Sequence, residues 1–489
     1  MVLRSTLAVT GLGLGLALAL AVPAQAAPQS WTAPVTVSTT ADAESPRVVT
    51  APDGSITSVW VETGAGVSTI VGATSVDDGA TWSTPQAISN SSINVRLPEL
   101  AIDSLGVRTV VWVDQWGGST VIEASSSADG LSWSAGFVLS GLVGNSTAPR
   151  LSIDSNDVRY VVWQALPNAH TEVRAVSSTD GFTWNSEARV SDPLTDSTAP
   201  DVGVLPNGNV IAIWAAGTVV QSSSSSDLGV TWGPIADLTS LGLPVGQPHL
   251  ATSAAGLVAA IWYSTDSAGD QIAQTATSID GQTWTGALDI SAPGGSAELF
   301  DIAFAPDGTL HAIWDRYDSS GNSIVQAVHS TDGGATWSVP LDLSAAGENG
   351  IDARLVIDST SAVTAAWTQD DLTTFPIIQY TTSTDGGSTF TLASALSVGG
   401  QGAATPWLAL SASDVVTAVW TMFDGTNAFV QSAHGVGSAA AAAAASAPAL
   451  AATGSPRYGT ELAILGAALI SAGVIAFMLR PRERGAHRA

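Results

Sequence analysis

Ser330-Thr331-Asp332-Gly333-Gly334-Ala335-Thr336-Trp337 decides the fold, because the chain repeats this stretch with small variations. The other copies run Ser75 to Trp82, Ser127 to Trp133, Ser178 to Trp184, Ser225 to Trp232, Ser278 to Trp284 and Ser383 to Phe390. Their aspartates, Asp77, Asp129, Asp180, Asp227, Asp280, Asp332 and Asp385, stand 47 to 53 residues apart. A fixed period of that size belongs to propellers and solenoids, not to an ordinary globular core.

A second marker keeps step with the first. Apolar strands expected to end at Trp60, Trp112, Trp163, Trp214, Trp262, Trp314, Trp367 and Trp420 each follow a turn such as Ala51-Pro52-Asp53-Gly54. Beyond each Asp turn an alternating stretch, Ser83 to Ser89 or Ser338 to Ser344, predicts a further strand that starts at the turn's tryptophan. One unit is therefore four strands. The fourth strand also occurs once without predecessors, around Trp31 from Ser30 to Ser38, and strands one to three occur once without a successor, from Trp407 to about Ser432. Pairing those two orphans closes a ring of eight blades and leaves no open edge.

The pattern S-x-D-x-G-x-T-W between a third and a fourth strand resembles the Asp-box, or BNR repeat, of sialidases and sialidase-like propellers. The resemblance covers about Ser30 to Ser432. In such a turn the carboxylate accepts backbone N–H bonds, glycine supplies positive φ, the hydroxyl closes the loop and the aromatic packs beneath. The resemblance implies an all-β propeller whose boxes lie on the face away from the site.

Function is then expected where the loops from strand four to strand one meet those from strand two to strand three. Aligning the blades places Arg47, Glu99, Arg150, Asp201, His249, Asp301, Arg354 and Trp407 together at the start of the innermost strands, a ring of mostly charged residues in otherwise apolar segments. Of 17 tryptophans, only Trp116 and Trp407 fall outside the two repeating positions. Both map to the expected functional face, as platforms for a sugar ring or a partner side chain.

Sialidases, by that resemblance, hold a sugar carboxylate with three arginines, use a Tyr–Glu nucleophile pair and an Asp acid/base, and begin with a Phe/Tyr-Arg-Ile-Pro motif. Val95-Arg96-Leu97-Pro98 is the nearest match and puts Arg96 on the motif arginine. Arg47, Arg150 and Arg354 offer further bidentate contacts without sitting on motif positions. Only Tyr263 and Tyr317 map to the functional face, no Tyr–Glu pair is assignable, and catalytic domains of the family have six blades. The expectation is a non-catalytic module that binds glycans or extracellular proteins, with an exo-glycosidase of sialidase type as the alternative.

No cofactor is expected. The acidic loops Asp266 to Asp270, Asp315 to Asp318 and Asp370-Asp371 carry calcium-type donors without EF-hand spacing. Six histidines show no zinc spacing, and there is no cysteine for disulfide or thiol chemistry.

The ends place the chain outside the cell. Residues 1–26 have one basic residue, an apolar run and an Ala24-Gln25-Ala26 exit, the pattern of a signal peptide. The propeller occupies 27–435, an Ala/Ser/Pro linker 436–449, and 450–489 reads as an anchor. There Leu450-Ala451-Ala452-Thr453-Gly454, an apolar helix from Leu462 to Leu479 and an arginine-rich tail resemble the cell-wall sorting signal used by class E sortases. That resemblance implies cleavage after Thr453 and transfer to peptidoglycan, with the helix in the membrane beforehand. Between leader and cleavage point stand nine arginines, no lysine and 40 acids. Such a charge excludes nucleic acid and anionic lipid as partners.

Overall fold

The computed structural model describes residues 29–436, apart from 40–41, 91, 143, 241, 319 and 371–374; within them every regular element is a β-strand. The leader, the linker beyond Val436 and the sorting signal lie outside the described residues, and so does Asp371. Among the described residues no helix is long and apolar enough to cross a membrane.

Eight antiparallel sheets of consecutive strands form the blades. Blade 1 is 43–87, blade 2 96–138, blade 3 145–189, blade 4 197–237, blade 5 245–289, blade 6 296–342, blade 7 349–395 and blade 8 402–436 together with 30–36. Each first strand packs against the first strands of the two neighbouring blades, and that of blade 1 packs against that of blade 8, so the ring closes.

The second strands read as continuous apolar runs because each lies between two blades and is covered on both faces. In blade 4, Val210–Ala216 is buried along its whole length. The tryptophan at its centre recurs in all eight blades, and Trp60, Trp112, Trp163, Trp214, Trp262, Trp314, Trp367 and Trp420 are fully buried. The core therefore sits in the seams, where each turn aromatic also packs: Trp133 between blades 1 and 2, Trp184 between 2 and 3, Phe390 between 6 and 7. Burying one such ring contributes about 1.5–3 kcal/mol.

Closure follows the expected route. Ser30–Trp31 and Val35–Thr36 both pair with Ala428–Val436, the third strand of blade 8. Trp31 packs edge-on against Tyr380 of blade 7 at 5.3 Å, and the Tyr380 hydroxyl donates to the Gln29 carbonyl at 2.6 Å.

Two strand boundaries differ from expectation. The second strand does not end at its tryptophan: Ile56–Gly64 continues four residues past Trp60, because apolar cover persists almost to the hairpin. Nor does the fourth strand begin at its tryptophan. Trp82 belongs to the turn, and regular pairing in blade 1 is confined to Gln86–Ala87, held by bonds from Ser83 N–H to the Thr74 carbonyl and from Ile88 N–H to the Ile70 carbonyl. An outer edge this short offers little for another chain to pair with.

The repeated turns close on themselves. In blade 4 the Ser225 hydroxyl donates to Asp227 Oδ1 at 2.8 Å and accepts the Gly229 N–H at 2.9 Å. Thr231 donates its N–H to Asp227 Oδ1 and its hydroxyl to Oδ2, at 2.9 and 2.6 Å. These bonds favour the charged carboxylate and hold Asp227 and Asp332 down at about 2.

Candidate functional site

One irregularity recurs in every blade and builds the site. The first strand slips register against the second at 44/47, 96/99, 147/150, 198/201, 246/249, 298/301, 351/354 and 404/407. At each slip one residue, from Ser45 (φ 54°) and Leu97 (φ 53°) to Asp352 (φ 56°) and Thr405 (φ 55°), takes the left-handed conformation. That conformation costs a side-chain-bearing residue about 1–3 kcal/mol, and such strain clusters where a bulge re-aims a side chain.

Two residues after each strained position stands one of Arg47, Glu99, Arg150, Asp201, His249, Asp301, Arg354 and Trp407. They are therefore not at the strand starts, as expected from sequence, but in mid-strand beyond a bulge; Arg47 is the fifth residue of Ala43–Thr50. They form a belt around the axis, joined sideways. Arg47 and Arg150 both reach Glu99 Oε1, at 3.4 and 3.0 Å. Arg150 Nε lies 3.9 Å from Asp201 Oδ1, and His249 Nδ1 lies 3.5 Å from Asp201 Oδ2. Arg47 and Arg354, from the blades on either side, stack on Trp407 at 4.1 and 5.0 Å from its ring centre.

The belt does not treat its carboxylates alike. Burial raises the Asp201 carboxyl, but a hydrogen bond and charge from His249 and the charge of Arg150 outweigh it, so the group stays below the usual range. Burial wins at Asp301, which is raised although Arg354 opposes it. Beside the belt, Asp315 in the second strand of blade 6 is fully buried and accepts the N–H of strained Asp352 at 2.8 Å. Burial and the Asp352 charge push the Asp315 carboxyl well above its ordinary value. Burial also raises Asp352, while Arg354 and Arg47 pull it back.

Asp315 lies opposite Glu298 in the strand ladder, and the Glu298 charge in turn acts on Tyr263 of blade 5. Burial, then the Glu298 charge, raises the Tyr263 phenol. Its ring lies over Gly246, where a Cβ would stand 2.5 Å from the phenol oxygen. The charge of Glu298 thus acts on a tyrosine of the adjacent blade, which no spacing within a repeat reveals.

Arg96 is apart from this group. It sits before the bulge of blade 2, opposite Val113, with a buried, unpartnered Nη1, and burial lowers its pKa. The Leu97-Pro98 that follows it is a blade-wide feature: Pro46, Pro149, Pro200, Pro248 and Pro406 occupy the same place after the strained residue. Trp116 ends the second strand Arg108–Trp116 on the side opposite the Asp turns, 47% exposed. Behind it, burial and then the Asp114 charge push the Glu123 carboxyl up to about 7, against a hydrogen bond from Trp116.

The remaining buried arginines do structural work on the turn side. Arg159 pairs with Asp103 and Arg108 bonds Ser55, each in the preceding blade, at a position that is aliphatic in the other six. Among the described residues no group of three or more His, Cys, Asp or Glu side chains could hold a metal ion.

Comparison with known proteins agrees with the architecture. No family model and no curated protein matches the chain. Solved structures do, among them three at 11, 14 and 17% identity. An ulvan lyase matches with a TM-score of 0.50 and 11% identity over 81% of this chain and 95% of its own. A Hadza microbial sialidase matches with a TM-score of 0.40 and 17% identity over 57% of this chain and 64% of its own. A leech intramolecular trans-sialidase, complexed with 2,7-anhydro-Neu5Ac, gives 0.37 and 14% over 75% and 79%. What is shared is the propeller. The match spans less than two thirds of the sialidase's own length, and identities this low speak for fold alone.

Proposed function

We propose that this chain is a cell-surface binding propeller, built on Asp-box repeats, that engages glycans or extracellular proteins on the side bearing Trp116 and the channel belt. One observation carries the reading: the turn carboxylates have their partners within the turn, whereas in the belt the Nε of Arg47 and of Arg354 has no hydrogen-bond partner, and the exposed Trp116 ends its strand on the side opposite the turns. The belt carboxylates are bonded to arginines, histidine or backbone amides, which suits ground-state recognition and leaves none free as a nucleophile. The LAATG segment and apolar tail would tether it to the wall through Thr453.

The second reading, an exo-glycosidase of sialidase type, is favoured by the electrostatic influence of Glu298 on the Tyr263 phenol. The purified full chain should fail to cleave a fluorogenic sialoside and should retain glycan or protein binding that Trp116→Ala weakens by about 1–3 kcal/mol. Turnover abolished by Tyr263→Phe or Arg96→Ala would establish the enzyme instead. Thr453→Ala should leave the protein in the membrane fraction; wild type released by detergent alone would remove the wall attachment.

A further inference from the structure

Six of the seven Asp turns share a bond that the seventh lacks. The side chain after the turn aromatic accepts the N–H of the residue before the turn serine: Ser83 from Thr74 at 3.0 Å, Ser134 from Ser126 at 3.0 Å, Asn185 from Ser177 at 2.7 Å, Thr285 from Thr277 at 2.9 Å, Ser338 from His329 at 3.0 Å and Thr391 from Thr382 at 3.1 Å. In blade 4 that residue is Gly233, which has no side chain to offer. An amide left without a partner is costly, and here blade 5 supplies one. Oriented by its partners, the Gln282 amide accepts the Ser224 N–H at 3.0 Å and the Ser224 hydroxyl at 2.9 Å, and donates to the Pro234 carbonyl at 3.1 Å.

The exchange leaves space where the other turns have a side chain. On the turn side, between blades 4 and 5, lies a cleft of about 410 Å³ that Gly233 and Gln282 line with Asn209, Ser226, Trp232 and Asp280. That volume falls among those of sites that hold small molecules. The seam itself is held by Ser222, whose hydroxyl donates to the Gly281 carbonyl at 2.9 Å and accepts the Trp284 indole N–H at 2.9 Å. A Cβ on residue 233 would stand 3.2 Å from the Ser224 carbonyl oxygen and 3.6 Å from the Gln282 amide, so a side chain there would crowd the borrowed amide.

We propose that this cleft is a second binding site, on the turn side and separate from the channel belt, that takes an uncharged sugar unit. Its lining decides the class. Asn209 brings an amide, Ser226 a hydroxyl and Asp280 a carboxylate, so donors and acceptors for sugar hydroxyls meet beside the half-buried indole of Trp232. No arginine, lysine or histidine is among the described residues that line it, so an anionic group would find no counter-charge and would face Asp280. A metal cation is poorly served too, because Asp280 Oδ1 already accepts the Ser278 hydroxyl and the N–H groups of Gln282 and Thr283, at 3.0, 2.8 and 2.7 Å.

Saturation-transfer NMR titration of the purified full chain with glucose, galactose, mannose and sodium glucuronate tests the site. At least one of the three hexoses should bind. Gly233→Ser restores the acceptor that other turns carry, and Asn209→Leu copies Leu257 of blade 5, so both variants keep to the repeat; each should weaken hexose binding at least about tenfold. Val76→Ser, an exposed change on the turn of blade 1, should leave it as in wild type. Glucuronate should show no binding that either cleft variant alters. Failure of all three hexoses to bind, or hexose binding that survives both cleft variants, would overturn the site. Hexose binding kept by Gly233→Ser but lost with Trp116→Ala would overturn it while leaving the channel-side reading intact. Glucuronate bound as tightly as the best hexose and released by Gly233→Ser would overturn the uncharged class.

Discussion

The turn side and the channel belt use the same carboxylate in opposite ways. Asp227 and Asp332 stand in water, bonded by neighbours no more than four residues away, and lie low at about 2. Asp301 and Asp315 stand in the protein, meet partners 54 and 37 residues away, and are raised. Number of donors decides the first pair and desolvation the second. The turn is thus a local staple that stays charged, and the belt is a tertiary arrangement in which charge is costly.

Removing the closing strand tests the frame that both sides share. A chain lacking 27–38 loses the strands that cover Ala428–Val436 and the burial of Trp31 and Val37, and should be less stable by about 3 kcal/mol or more in chemical denaturation. An unchanged midpoint would mean that blade 8 holds without them.

The pH profile should separate the two regions by sign. Asp315 and Glu123 have folded pKa values above their unfolded ones, so they bind more protons folded; the stability they lend is full at low pH and is lost as pH rises through the folded value, about 7 for Glu123. Glu123→Gln should flatten the loss between about pH 4.5 and 7, by at most about 3 kcal/mol at 1.36 kcal/mol per unit. Asp315→Asn keeps an acceptor for the Asp352 N–H and should make the protein more stable at pH 8. A steeper alkaline loss in either variant would break the contrast.

Turn carboxylates run the other way. Asp180, held at about 2, lends stability that is present above its unfolded value near 3.8 and disappears as pH falls toward 2. Asp180→Ala should therefore lower stability at pH 7 by under about 1 kcal/mol, because water screens the group, and should matter less at pH 2. A larger cost at pH 2 than at pH 7 would contradict the assignment. Smallest of all, Trp116→Ala should leave the melting transition within about 0.5 kcal/mol, as befits an exposed residue. A greater loss would make Trp116 a packing residue and not a platform.

Much of the belt was legible in the sequence. Counting from the repeats puts Arg47 through Trp407 in one register, and the recurring proline before six of them announces the bulge. The mid-strand position was not legible, because a bulge shifts register without altering the alternation of residues. The influence of Glu298 on Tyr263 and the Asp315–Asp352 bond escaped for another reason: each joins two blades, and no spacing within a repeat encodes which groups will meet across a seam.

Repetition in the sequence determined the eight blades, the closing strand and the turn bonds, since each depends on residues close along the chain or on a count. Tertiary structure alone decided which carboxylates would be buried, which amides each would bridge and which arginines would be left short of partners. The reason is physical. A turn's hydrogen bonds are fixed by backbone geometry over four residues, whereas the fate of a belt charge is fixed by the dielectric and the donors that seven other blades bring to the axis.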